Sequence, residues 1–263
     1  MASDAHAHPF YLSKVYGDAE AERRRLNIVC AGSAWNNEDF LYNENAAAAF
    51  PMALCFAVHP QLSAFSANSS DIQNSLSLLY QLTAENRIDA VGETGFDLFN
   101  GEFRAAEKVQ DELFEQHLCV ALKYDLPLVL HLRRAMQKIF LHTHRLKKIP
   151  ALVFHSYSGT ADEAASLLRR GVNAYFSFGT AILLNHKTAM KACAAIDAER
   201  LLFETDAPYQ SPRGKEFSSY ADIASVINKA SELRYGAGKN SAAGELERIS
   251  DENFYKVYKK GLK

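Results

Sequence analysis

FRAAEKVQDELFEQHLCVALKYDLPLVLH, residues 103–131, holds two patterns back to back. From Phe103 to Tyr124, Phe103, Ala106, Gln110, Leu113, Phe114, His117, Ala121 and Leu122 return at steps of three and four, the spacing of one helix face. From Leu126 the chain becomes LPLVLH, a short apolar run that stops on His131. A strand apolar on both sides is buried on both sides, as in a parallel sheet covered by helices. Helix, then buried strand, then a polar group where the strand stops is the unit to look for elsewhere.

It recurs along the chain. Further strands are expected at Met1–His8, Leu26–Ala31 (LNIVCA), Met52–His59 (MALCFAVH), Ala90–Asp97 (AVGETGFD), Ala151–Ser156 (ALVFHS), Asn173–Phe178 (NAYFSF) and Leu201–Asp206 (LLFETD), with helical segments between them. Eight such units in a chain of 263 residues imply closure into a (β/α)8 TIM barrel, with an open doubly wound sheet as the alternative. Ala46–Ala49 reads as helix, and Tyr220–Tyr235 and Glu245–Lys260 read as the closing helices. No Pro/Gly/Ser linker interrupts the pattern, so residues 1–263 are expected to form a single domain.

The bulk composition is that of an ordinary globular chain: 48% hydrophobic and 23% charged over 263 residues. With 29 Lys and Arg against 31 Asp and Glu, the net charge is −2, so no global positive field attracts a polyanion. A nucleic acid would have to be met by a local patch or by a metal. Cys30, Cys55, Cys119 and Cys193 are widely spaced with no CxxC pair, and the first residues show no basic-then-apolar signal. Reduced thiols and a cytoplasmic location are expected. No apolar run approaches the roughly 20 residues of a membrane span, and no obligate protein partner is evident.

A barrel carries its functional groups at the C-terminal ends of the strands. His6, His8, His59, Glu93, Asp97, His131, Arg133, His155 and Asp206 all stand at such ends, which takes in five of the nine histidines. One histidine beside an apolar strand is ordinarily a satisfied rim residue. Several imidazoles and carboxylates converging on one rim call for a shared partner, and for that mixture the usual partner is a divalent cation. The donors outnumber what one tetrahedral ion takes, so two ions sharing a carboxylate is the economical reading, and a two-metal clamp points to a hydrolase. His117, His142, His144 and His186 lack such a setting and read as structural or exposed.

The motifs DAHAHPF (4–10), AVHPQ (57–61), VGETGFDLF (91–99), LPLVLHLRRA (126–135), FHSYSGT (154–160) and FETDAPYQSPRGK (203–215), closed by NFYKVY (253–258), together resemble the TatD-related metal-dependent hydrolases of the amidohydrolase superfamily. That resemblance implies a two-metal barrel and a deoxyribonuclease hydrolysing DNA phosphodiesters in the manner of a 3′–5′ exonuclease. By motif position, His6, His8, Glu93 and Asp206 would hold one ion, and Glu93, His131 and His155 the second, with Glu93 as the bridge. Glu93 and Asp206 would be the catalytic carboxylates, Asp206 orienting or deprotonating the attacking water. His59, Arg133 and Arg213 are then expected to contact the phosphate, with DNA or another phosphodiester as a transient partner. Asp97 and Glu204 are expected to orient ligands or loops, and Asp4 to be structural.

Ser156 and Tyr157 stand where relatives commonly carry Cys and Phe, and Gln61 and the EFSSY tract (216–220) also depart from the family pattern. These changes bear on substrate identity rather than on the ligand set. Four histidines favour Zn²⁺ or Mn²⁺, whereas the family is often described as using Mg²⁺. Two alternatives use the same residues: an amide or ester hydrolase, such as an aminoacyl-tRNA deacylase, and a non-catalytic barrel that keeps metal for structure alone.

Overall fold

In the computed structural model, which describes residues 2–66, 70–238 and 240–258, all eight apolar runs are strands. They are β1 Ala2–Ala7, β2 Ile28–Ala34, β3 Met52–Phe56, β4 Ala90–Asp97, β5 Leu128–Arg133, β6 Leu152–Phe154, β7 Ala174–Phe178 and β8 Leu201–Phe203. They pair in parallel in chain order, β1 through β8. Past the end of β8 the sheet meets its own beginning: the Asp206 amide donates to the His6 carbonyl (3.0 Å) and the His8 amide to the Ala207 carbonyl (2.8 Å). The buried Asp4 carboxylate fastens the same seam, accepting from the Thr205 amide (3.0 Å) and hydroxyl (2.6 Å). The result is a (β/α)8 barrel.

Two strands carry an extra residue. Val91 lies opposite Leu128 and Thr94 opposite Leu130, so β4 advances three residues while β5 advances two. In β1, Asp4 lies opposite Cys30 and Ala7 opposite Gly32, again three against two. Such bulges re-aim side chains and gather beside active sites. Here they fall at Glu93 and His6. Gly95, at φ 131°, passes so close to β5 that a Cβ would run into the His131 carbonyl oxygen, which is why β4 reads GETG.

One apolar layer lies between the sheet and its surrounding helices. A second fills the barrel, where Ala5, Ala31, Ala53, Ala90 and Ala151 leave room for Phe254 and Tyr258 from the C-terminal helix Asn240–Val257 and the residue after it. That helix plugs the floor. Asn253 donates its side-chain amide to the Leu201 carbonyl (2.9 Å), and Asp251 accepts from the Ser3 amide (2.8 Å) and hydroxyl (2.6 Å).

The helices differ from expectation in detail. The segment after β4 breaks at Ala106 into Gly101–Ala105 and Glu107–Tyr124. The Gln110 side-chain amide takes the carbonyl of Phe103 (2.9 Å) and also bonds the backbone of Asp97, tying the break to the end of β4. Tyr220–Asp222 is a 3-10 turn leading into the helix Ile223–Tyr235, and Ala46–Ala49 ends the helix Asn37–Ala49. Met1 and Lys260 lie outside the described residues. Among the described residues no helix is long and apolar enough to cross a membrane, and none of the four cysteines is paired.

Candidate metal centre

The strand ends open into a cavity of about 870 Å³ lined by His8, His59, Glu93, His131, His155 and Asp206 among others. β5 shows the transition along its length: Leu128, Val129 and Leu130 are buried, while His131, Leu132 and Arg133 emerge into the mouth.

Glu93 is the centre of the polar cluster, and its two oxygens face different groups. Oε2 lies 3.3 Å from His6 Nε2 and 3.6 Å from His8 Nε2. Oε1 lies 2.6 Å from His131 Nδ1, 2.9 Å from His155 Nε2 and 3.4 Å from His59 Nε2. Asp206 Oδ1 completes the first group, 3.3 Å from His8 Nε2 and 3.8 Å from His6 Nε2. The two imidazole nitrogens of that group are themselves 3.2 Å apart.

These separations can be set against what a metal requires. Four donors about 2.1 Å from a tetrahedral ion lie about 3.4 Å from one another. The two imidazoles of the first group lie 3.2 Å apart and 3.3 to 3.8 Å from the carboxylates, close to that spacing, and His6, His8 and Glu93 together could hold a cation. The second group is tighter, with imidazoles hydrogen-bonded directly to Glu93. Metal-binding histidines characteristically give their other nitrogen to a carboxylate, and both histidines of this group do. His131 Nε2 meets Asp97 Oδ2 at 3.0 Å and His155 Nδ1 meets Glu204 Oε1 at 3.1 Å. Asp97 also accepts from the Gln61 side-chain amide (2.7 Å) and the Phe99 amide (2.9 Å). The unusual Gln61 therefore buttresses a ligand-orienting acid.

The electrostatics follow from burial working against charge pairing. Burial would raise the Glu93 pKa, but His155, His59 and His6 outweigh it and hold the carboxyl well below its ordinary value. Asp206 is likewise lowered, burial being overcome by His8 and His155, and Asp97 falls to about 2 because His131, Gln61 and the Phe99 amide outweigh its burial. Burial opposes charge on His155, yet Glu93 and Glu204 raise it well above the ordinary imidazole value. His6 and His59 go down, chiefly through burial. The site holds ionised carboxylates against histidines of mixed charge, a donor set that suits cations.

His59 approaches Glu93 and stands among the donors as well as at the cavity wall. Arg133 lines the cavity with its Nη1 3.6 Å from Asp97 Oδ2, so it is both a rim ion pair and a group facing the cavity. Arg213 is exposed on the segment after β8 and is not among the lining residues. Some contributors carried no signal in the sequence. Gln210 donates to Asp206 Oδ2 (2.6 Å), and exposed His186, at the start of a helix, lines the cavity. Tyr11, Trp35 and Tyr209 form an aromatic side, with Trp35 Nε1 donating to Tyr11 (2.7 Å) and Tyr209 5.0 Å from the His8 ring. His142, read as structural or exposed, packs on Phe114 (5.1 Å) and meets Glu115 (3.3 Å).

With this geometry in hand, comparison with known proteins gives consistent matches. The family model described as TatD related DNase matches residues 3–259. A Dickeya dadantii protein named 3′-5′ ssDNA/RNA exonuclease TatD is 32% identical over 191 residues, covering 70% of each chain. A Buchnera aphidicola protein named as an uncharacterized metal-dependent hydrolase is 31% identical over 152 residues, covering 55% of each chain. Against relatives named as TatD exonucleases, the aligned stretch runs from 51% to 70% of their length. Among solved structures, a TatD homologue from Escherichia coli superposes with a TM-score of 0.81 at 27% identity, covering 98% of both chains. A TatD family hydrolase from Entamoeba histolytica, at 17% identity and a TM-score of 0.78 over 98% of this chain and 97% of that one, shares the fold.

Proposed function

The chain belongs to the TatD related DNase family, and from that premise we propose that it is a metal-dependent exonuclease, a single barrel unit over residues 1–263 that removes nucleotides from the 3′ end of single-stranded DNA. The observation that carries this reading is the two-sided placement of Glu93, with Oε2 turned to His6 and His8, which also meet Asp206, and Oε1 to His131 and His155. A shared carboxylate between two donor groups is what a pair of divalent ions requires. When bound, such ions supply phosphoryl-oxygen polarisation and a more acidic water.

The rest is the work of the chain's own residues. Glu93 and Asp206 are the catalytic carboxylates. Asp206 takes the proton of the attacking water at Oδ1, while Gln210 holds Oδ2 and fixes its direction. Glu204 and Asp97 keep His155 and His131 aimed at Glu93. His59 and Arg133 receive the phosphate, and Arg213, outside the cavity lining, reaches only a longer substrate. The imidazole-rich donor set favours Zn²⁺ or Mn²⁺ for tight binding over Mg²⁺. Relatives named as exonucleases favour this chemistry over amide or ester hydrolysis, aminoacyl-tRNA deacylation included. Unpaired cysteines suit a cytoplasmic setting.

The test is to strip the protein with a chelator, reload it with Zn²⁺, Mn²⁺ or Mg²⁺, and follow a 3′-labelled single-stranded oligonucleotide. Release of mononucleotides is expected from the native chain. Asp206→Asn should lower turnover by about a thousandfold while the protein stays folded. Turnover retained by that variant would remove Asp206 from the mechanism.

A further inference from the structure

With a net charge of −2, the chain must meet a polyanion locally, and the metal site accounts for only one phosphate. We infer that Arg104, Arg133 and Arg134, gathered around Phe99 beside the cavity mouth, form a track that holds the backbone phosphates of a single strand whose end lies at Glu93. This track rests on the nuclease reading above and adds the place where the body of the substrate is gripped.

Arg133 ends β5 and Arg134 follows it, while Arg104 lies in the short helix Gly101–Ala105 after the neighbouring β4. The Arg133 guanidinium lies 4.1 Å from the centre of the Phe99 ring and that of Arg134 4.6 Å. The Phe99 carbonyl accepts from Arg134 Nη1 (3.1 Å) and from Arg104 Nη1 (3.4 Å). Three like charges thus share one phenylalanine. Among the described residues neither Arg104 nor Arg134 forms an ion pair with a carboxylate, and Arg133 has only Asp97, which already binds His131, Gln61 and the Phe99 amide.

Phe99 also gives the cluster its form. It is 43% exposed, a ring that would ordinarily be buried, and it is covered by guanidiniums instead. Stacking on an aromatic ring orders an arginine while leaving its N–H groups free for a phosphate. Arg134 holds a left-handed backbone, φ 55°, which costs a non-glycine residue and gathers at ligand clamps.

Strand order then supplies the direction. Phe99 follows β4 and Arg133 ends β5, whereas Tyr11, Trp35 and Tyr209 follow β1, β2 and β8. In a barrel ordered β1 to β8, β4 and β5 lie across the mouth from β8 and β1. Guanidiniums therefore face aromatic rings with the Glu93 cluster between them. A single strand can turn its bases to one wall and its phosphates to the other. A duplex, whose bases are already stacked and paired, cannot.

The test uses the full-length purified protein and a fluorescent, phosphorothioate-linked decathymidylate, read by anisotropy over a range of salt concentrations. The double variant Arg104→Ala/Arg134→Ala should bind at least about tenfold more weakly, and its salt slope should fall by about 1.4, the counterion release of two lost phosphate contacts on a single strand. The double variant Arg104→Lys/Arg134→Lys should retain the slope. In parallel, the gain in kcat/KM from dithymidylate to decathymidylate should shrink in the alanine variant. Unchanged affinity and slope in that variant, or no binding by the native chain, would overturn the track. A strand bound through these arginines but never cut, whatever metal is added, would sink the nuclease reading and leave the track standing. Cutting whose length dependence ignores them would do the reverse.

Discussion

Histidines become dependable ligands when something else fixes their rings. His155 is held by Glu204, which also accepts the Ser156 amide at 2.8 Å, and Glu204 Oε2 is buried with no hydrogen-bond partner among the described residues. A carboxylate in that position sets the ring's orientation and strengthens it as a donor. Glu204→Gln preserves shape and can still accept from Ser156, but it loses the charge that faces His155. Divalent-ion affinity is expected to fall by about ten- to a hundredfold, measured by competition with a chromophoric chelator. Equal affinity in the two proteins would reduce Glu204 to a packing residue. The two central donors owe their aim to the bulges at His6 and Glu93, and register is a property of strand pairs that no single strand's sequence displays.

Between residue and fold stands the helix Glu107–Tyr124, which reaches the site through His117. That ring accepts the Val58 amide at Nε2 (3.0 Å) and pairs with Thr94 Oγ1 at Nδ1 (2.9 Å), bracing the residues just before His59 and just after Glu93. Burial lowers its pKa from 6.5 to about 4. On acidification the unfolded chain therefore takes up this proton before the folded one does. The stability contribution is intact above pH 6.5 and falls as the pH drops toward 4, by about 3 kcal/mol in all. His117→Gln should flatten that acid limb in urea unfolding compared at pH 7 and pH 5. Identical limbs would show that the folded ring takes up its proton as readily as the unfolded one. Most of the strands were legible because they are short apolar runs, and most of the donors because polar groups end those runs. His117 and His186 were not, since a helical histidine looks the same whether it braces a site, lines a cavity or faces water. Gln210 was not legible either, because an amide four residues beyond Asp206 carries no chemistry of its own until the loop folds back.

At the scale of the whole molecule, the barrel is filled from below and used from above. Phe254 is fully buried among the alanines of the strands, so Phe254→Ala should cost about 3 to 5 kcal/mol. The cost would be read as a lower urea midpoint, while metal content per folded molecule stays the same. A loss of bound metal without a loss of stability would mean that floor and mouth are not independent. The seam between β8 and β1 has a different import. The backbone groups that close it belong to His6, His8 and Asp206, and Asp4 and Thr205, which brace it, are 201 residues apart in sequence. In polymer terms it is the longest-range loop closure of the ring, the kind of contact that slows folding and forms late. Ring closure and assembly of the first donor group are then one event in time, since His6 and His8 meet Asp206 only across the seam, so a chain that has not finished folding holds at most the Glu93, His131 and His155 half of the centre.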